Sequence, residues 1–156
     1  SRRQRQMCIR DREVWEDEFV SIQERYKRGV FALDTALFLH DLTDRTPHKF
    51  HMAFPYGYNT SSPKAAGILC SCKKEPYYSL GIALVDTPAG NTVRAYNAEK
   101  TLCEILKPIS HTDIQIITDA FKRYAGRKDK NIPLLSEYAH QLRVEKRLRP
   151  YLEVLL

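Results

Sequence analysis

The chain has 156 residues, 43% of them hydrophobic and 28% charged, with a formal net charge of +6. That is enough chain for one real core, and no run approaches the roughly 18–20 apolar residues of a membrane-spanning helix or the apolar centre of a secretory signal. Four cysteines spread over this length do not make the dense framework of a small secreted domain, so a cytoplasmic protein with reduced thiols is expected.

Residues 1–12 hold five arginines and one aspartate with almost no apolar content and fit neither a helix nor a strand period. They are read as a non-native or disordered tail, and residues 13–156 as the domain. Five bases less one acid make the tail responsible for +4 of the +6, so whole-chain basicity says little about nucleic acid. The distribution says more: residues 13–44 hold eight acids against three bases, and residues 120–150 nine bases against three acids. The domain is expected to be electrically polarised.

Trp15, Phe19, Ile22 and Tyr26 recur at helical spacing. Asp34 is placed to cap a second, short helix that is apolar nearly all round from Ala36 to Leu42. Phe50, Met52 and Phe54 alternate with smaller or polar residues, the pattern of a half-buried strand ending at Pro55. After a loop rich in Gly, Asn, Ser and Pro, the segments around Leu80–Leu84 and Thr92–Tyr96 flank the turn Thr87-Pro88-Ala89-Gly90-Asn91 and read as a β-hairpin.

Beyond Tyr96 the pattern is helical. Asn97 caps a helix that Pro108 stops. Ser110–Asp113 has the spacing of a capping box for a helix with the stripe Ile114, Ile117, Phe121 and Tyr124, ending at Gly126. Asn131 and Pro133 open another helix, and Val144, Leu148, Tyr151 and Leu155 continue the stripe through Pro150, which is expected to kink or break it. The order implies an α+β fold, with a small antiparallel sheet and hairpin packed against a mainly helical C-terminal half.

Little in the sequence points to catalysis. Cys70-Ser71-Cys72 lacks the second ligand pair of a zinc site, and the histidines are scattered, so no metal, cofactor or catalytic residue is assigned. Asp86, Glu99 and Lys100 are the nearest approach to a nuclease cluster, but aspartate beside a turn and glutamate in a first helical turn have ordinary structural uses. Phosphate-binding, dinucleotide-binding and serine-esterase motifs are missing. What remains is a basic loop and helix face, Arg123, Arg127, Lys128 and Lys130 followed by Arg143, Lys146 and Arg147, able to meet an anionic partner or simply to face water.

Long stretches carry a resemblance. "RYKRGVFALDTALFLHDLTDRTP", "FPYGYN", "TPAGNTVRAYNAEKTLCEIL" and "RKDKNIPLLSEYAHQLRVEKRLRPYLEVLL" resemble the C-terminal effector half of AbiEi-family antitoxins, from about Val14 to Leu156. The resemblance implies a non-catalytic bacterial protein of a toxin–antitoxin operon used in phage defence. Its functional partner would be an AbiEii-like, nucleotidyltransferase-like toxin. The family's N-terminal winged-helix head, which represses the operon by binding operator DNA, is not recognisable in the residues before Val14, so the chain alone is not expected to read an operator. A basic nucleic-acid-contacting module and a degenerate nuclease are the alternative readings.

Overall fold

The computed structural model describes residues 17–155, which leaves the N-terminal tail and Trp15 outside the described region. Asp17 opens α1 (Glu18–Arg25), its side chain accepting from the Phe19 amide. A short strand, β1 (Val30–Phe31), leads into α2 (Leu33–Leu39). Strand β2 (His51–Pro55) is followed by the five-residue α3 (Ser61–Ala65), then β3 (Leu69–Lys73), and the hairpin β4 (Ile82–Asp86) and β5 (Thr92–Tyr96) completes the sheet. Four helices follow, α4 (Ala98–Ile105), α5 (Ile114–Ala125), α6 (Ile132–Leu142) and α7 (Glu145–Leu155), with a 3₁₀ turn at Pro108–Ser110 between the first two.

The segregated α+β class is as the sequence implies, but the sheet is mixed rather than wholly antiparallel. Its order is β3-β2-β1-β5-β4. The β1–β2 and β4–β5 pairs are antiparallel, whereas β1–β5 and β2–β3 are parallel. Both parallel pairs involve a strand the sequence hides. β1 is two residues long, and β3 is the weakly apolar Leu-Cys-Ser-Cys-Lys, reached by a crossover through α3 of the kind parallel strands require.

Strand alternation sorts the side chains onto two faces. Phe31, Met52, Phe54, Val93 and Ala95 lie on one face against Phe19 and Phe38 of α1 and α2, with the Phe19 and Phe31 rings edge to face at 5.4 Å. On the other, Val30, Ala32, Ala53 and Tyr96 pack around Tyr78 from the segment before β4. β2 is thus buried on both faces at Met52, Ala53 and Phe54, not half-buried, because the Tyr78 segment covers the side that the alternation assigns to water. A third cluster joins α4, α5, α6 and α7 through Leu102, Phe121, Tyr124, Leu135, Leu142 and Leu148.

The helix caps follow the sequence at Asn97 and Asn131, whose side chains accept from the Lys100 and Leu134 amides. At three places they differ. Asp113, not Ser110, caps α5, accepting from Gln115 N at 2.7 Å, while the Ser110 hydroxyl closes the preceding turn on the Ile105 and Lys107 carbonyls. Asp34 lies inside the first turn of α2, whose N-cap is Ala32. Helix α7 runs through Pro150, whose missing N–H removes one helical hydrogen bond.

Candidate functional site

The seven cations singled out from the sequence do not form one patch. Arg123, Arg127, Lys128 and Lys130 lie where α5 passes into α6, whereas Arg143, Lys146 and Arg147 lie at the corner between α6 and α7. The eleven residues of α6 separate the groups by about 16 Å at 1.5 Å per residue.

At the first end the charges are largely committed. Arg123 pairs with Asp119 at 2.8 Å and approaches Asp44 at 3.9 Å. Arg127, expected to be a free surface cation, is half-buried: its guanidinium grips both oxygens of Asp129 at 2.9 Å and donates to the His40 carbonyl at 2.9 Å, tying the α5–α6 connection to the end of α2. Lys130 donates to the Arg127 carbonyl at 3.4 Å. At the other corner Arg143, Lys146 and Arg147 are exposed, with no ion pair or hydrogen bond from their side chains among the described residues, while the one acid in that run, Glu145, faces His140. Arg143 holds a left-handed backbone (φ 61°) as the cap of α6 and borders a groove with Tyr77 and Gln141.

The sequence also left charges unplaced, and these are inside. Helix α4 is buried along its whole length, including Glu99, Lys100, Thr101 and Glu104. Glu99 accepts from the Tyr124 hydroxyl at 2.5 Å, so it braces α4 against α5. Lys100 is fully buried. Its Nζ donates to the Tyr77 and Leu80 carbonyls at 2.9 and 3.0 Å, sits 3.8 Å from the Tyr96 ring centroid, and lies 3.4 Å from Glu104 Oε1. Tyr96 in turn donates to the Tyr78 carbonyl, and Tyr78 to the Arg28 carbonyl at 2.6 Å. Lys100 therefore pins the 77–80 segment onto the sheet. Burial pushes its ammonium down to about 8, against the pull of Glu104.

Gly81 lets this segment approach α4. Its φ is +82°, and a Cβ there would lie 2.7 Å from Lys100 Cβ. Gly81→Ala should cost roughly 2–5 kcal/mol, the sum of left-handed strain and overpacking, read as a lowered denaturant midpoint with unchanged m-value. An unaltered midpoint would show that the segment can yield.

Beside the pin is a partly enclosed pocket of about 320 Å³, lined by Leu33, His51, Ser71, Lys73, Glu104 and Ile109 among others. Parallel pairing sets Ala53 opposite Ser71, and alternation turns His51, Ser71 and Lys73 to the face away from Met52 and Phe54. His51 Nε2 is 3.2 Å from Ser71 Oγ. Lys73 Nζ lies 3.2 Å and Lys100 Nζ 3.4 Å from the buried Glu104 Oε1, so two ammonium groups meet on one oxygen. Burial raises the Glu104 carboxyl, but Lys73, Lys100 and Lys107 together outweigh it and hold the group below the usual carboxylate range. Burial, reinforced by Lys73 and opposed by Glu104, brings His51 down to about 4, so the ring is neutral at pH 7.

Cys70, Cys72 and Cys103 are free thiols, and burial pushes that of Cys103 up to about 12. Among the described residues no three His, Cys, Asp or Glu side chains converge as a metal site would require, and no helix is long and apolar enough to cross a membrane. No protein-family model matches the chain, and no curated protein matches it significantly.

Proposed function

We propose that this chain is the effector domain of an AbiEi-type antitoxin: a non-catalytic, cytoplasmic module that counteracts an AbiEii-like toxin, with operon repression belonging to a winged-helix head. The observation that carries the reading is the α6–α7 corner, where Arg143, Lys146 and Arg147 stand exposed and unpaired among the described residues. Three like charges without local partners are a docking surface for an anionic group, because complementary charge steers association and selects the partner. The family-like segments support it further. They supply β1, α2, the end of β2, β5, α4, α6 and α7, hence core positions such as Phe31, Leu37, Ala95, Leu102 and Leu135.

The test is growth of cells expressing an AbiEii-like toxin. Co-expression of the chain should restore colony formation, and continued arrest at matched protein levels would count against an effector role. The same unpaired cations favour a second reading, contact with nucleic acid. That reading demands duplex or RNA affinity that falls steeply with salt.

A further inference from the structure

We infer that the pocket between β2, β3 and the end of α4 binds a small organic anion, a carboxylate or a phosphate ester, with its charge on Lys73 and its apolar part along Leu33 and Ile109. This is independent of the antitoxin reading. Size, charge and wall chemistry agree. A volume of about 320 Å³ falls at the lower end of small-molecule sites, which combine apolar walls with a few convergent polar groups.

Two ammonium groups, Lys73 at 3.2 Å and the buried Lys100 at 3.4 Å, meet the single carboxylate of Glu104, an excess of one positive charge, and of the two Lys73 lines the pocket beside a neutral His51. Glu104 engages Lys73 at 3.2 Å, and an ammonium carries three N–H donors, so that contact leaves two for an incoming acceptor. Ser71 Oγ and His51 Nε2 lie 3.2 Å apart, and in the tautomer in which Nε2 carries the proton the ring donates to Oγ and the hydroxyl supplies a second donor. Ile109 is 81% exposed at the rim, a large apolar side chain that a ligand would cover. Leu33, also in the lining, is held at φ 51°, a conformation unfavourable for leucine and of the kind that gathers at ligand sites.

The probes are benzoate, phenyl phosphate and, as the neutral control, benzamide, titrated into the full chain with its histidine rings labelled for NMR and the His51 signal assigned by His51→Gln. At least one anion should shift that signal saturably, with a Kd of about 1 mM or tighter, while benzamide should not. The anion that saturates identifies carboxylate or phosphate as the preferred group. Lys73→Met should weaken binding at least tenfold, Ser71→Ala at least threefold, and the remote Lys122→Met not at all. Lys73→Met strips Glu104 of a partner, so Ser71→Ala decides the matter if that variant does not fold. Equal binding of benzamide, no saturable shift with either anion, or undiminished binding by folded Lys73→Met or by Ser71→Ala would overturn the inference.

Discussion

Lys100→Met should destabilise the domain by roughly 3–5 kcal/mol, the range found when one partner of a buried ion pair is removed. Methionine fills much of the same volume, so the loss is not chiefly a cavity. It arises because the Tyr77 and Leu80 carbonyls lose their donor and Glu104 keeps, among the described residues, only Lys73 within ion-pair distance. Buried carbonyls without partners cost about 1–3 kcal/mol each when water cannot reach them. For a chain of this size the midpoint should fall by roughly 6–20 °C. Adding Glu104→Gln should recover part of the loss, since a neutral amide tolerates the vacated site better than a carboxylate. A drop of less than about 1 kcal/mol for Lys100→Met would be an ordinary mutational effect and would show that the 77–80 segment is held by Tyr78 and Tyr96 without the ammonium.

The second large effect is a pH dependence centred on His51. Its folded pKa, about 4, lies below the ordinary histidine value, so between about pH 4 and 6.5 the unfolded chain binds a proton that the native state refuses. Stability from this group is complete above the unfolded pKa and is lost as pH falls through the folded one. The full difference corresponds to roughly 3 kcal/mol at 1.36 kcal/mol per unit. Glu104, whose pKa is also held down, adds loss of the same sign at lower pH. Denaturant unfolding at several pH values should show wild-type stability declining from pH 6.5 to 4, and His51→Gln should flatten that limb while leaving the Glu104 contribution below it. Parallel curves for the two proteins would mean that His51 is hydrated in the native state.

The sequence made the helical half legible, because its caps and stripes are local signals: Asn97, Asn131 and the Ile117–Phe121–Tyr124 face all lie where spacing puts them. The hairpin was legible for the same reason. What escaped depends on long-range contact. Two residues of β1 carry no period, and β3 looks like a loop until β2 pairs with it. β2 seems half-exposed in sequence only because its second cover, Tyr78, comes from a segment without regular pattern. The polar pocket escaped for a related reason, since His51, Lys73 and Glu104 are brought together by strand register and by α4. A Lys–Glu pair at i and i+4 normally marks a solvated face. Nothing in Ala98–Ile105, half of whose eight residues are charged or polar, marks the helix as buried on all sides. The basic residues were legible one by one, but not their division between two ends of α6 or the use of Arg127 as a tether.

That division makes the central proposal testable in one experiment, protection of toxin-expressing cells by two charge-reversed variants of the whole chain. One carries Arg143→Glu, Lys146→Glu and Arg147→Glu at the α6–α7 corner. The other carries Arg123→Glu, Lys128→Glu and Lys130→Glu at the opposite end and spares Arg127. Exposed pairs contribute about 0–1 kcal/mol each, so both variants should unfold cooperatively. Like charge against an anionic partner costs several kcal/mol, so the corner variant should lose protection and the other keep most of it. A folded corner variant that protects cells as well as the wild type would contradict the proposal.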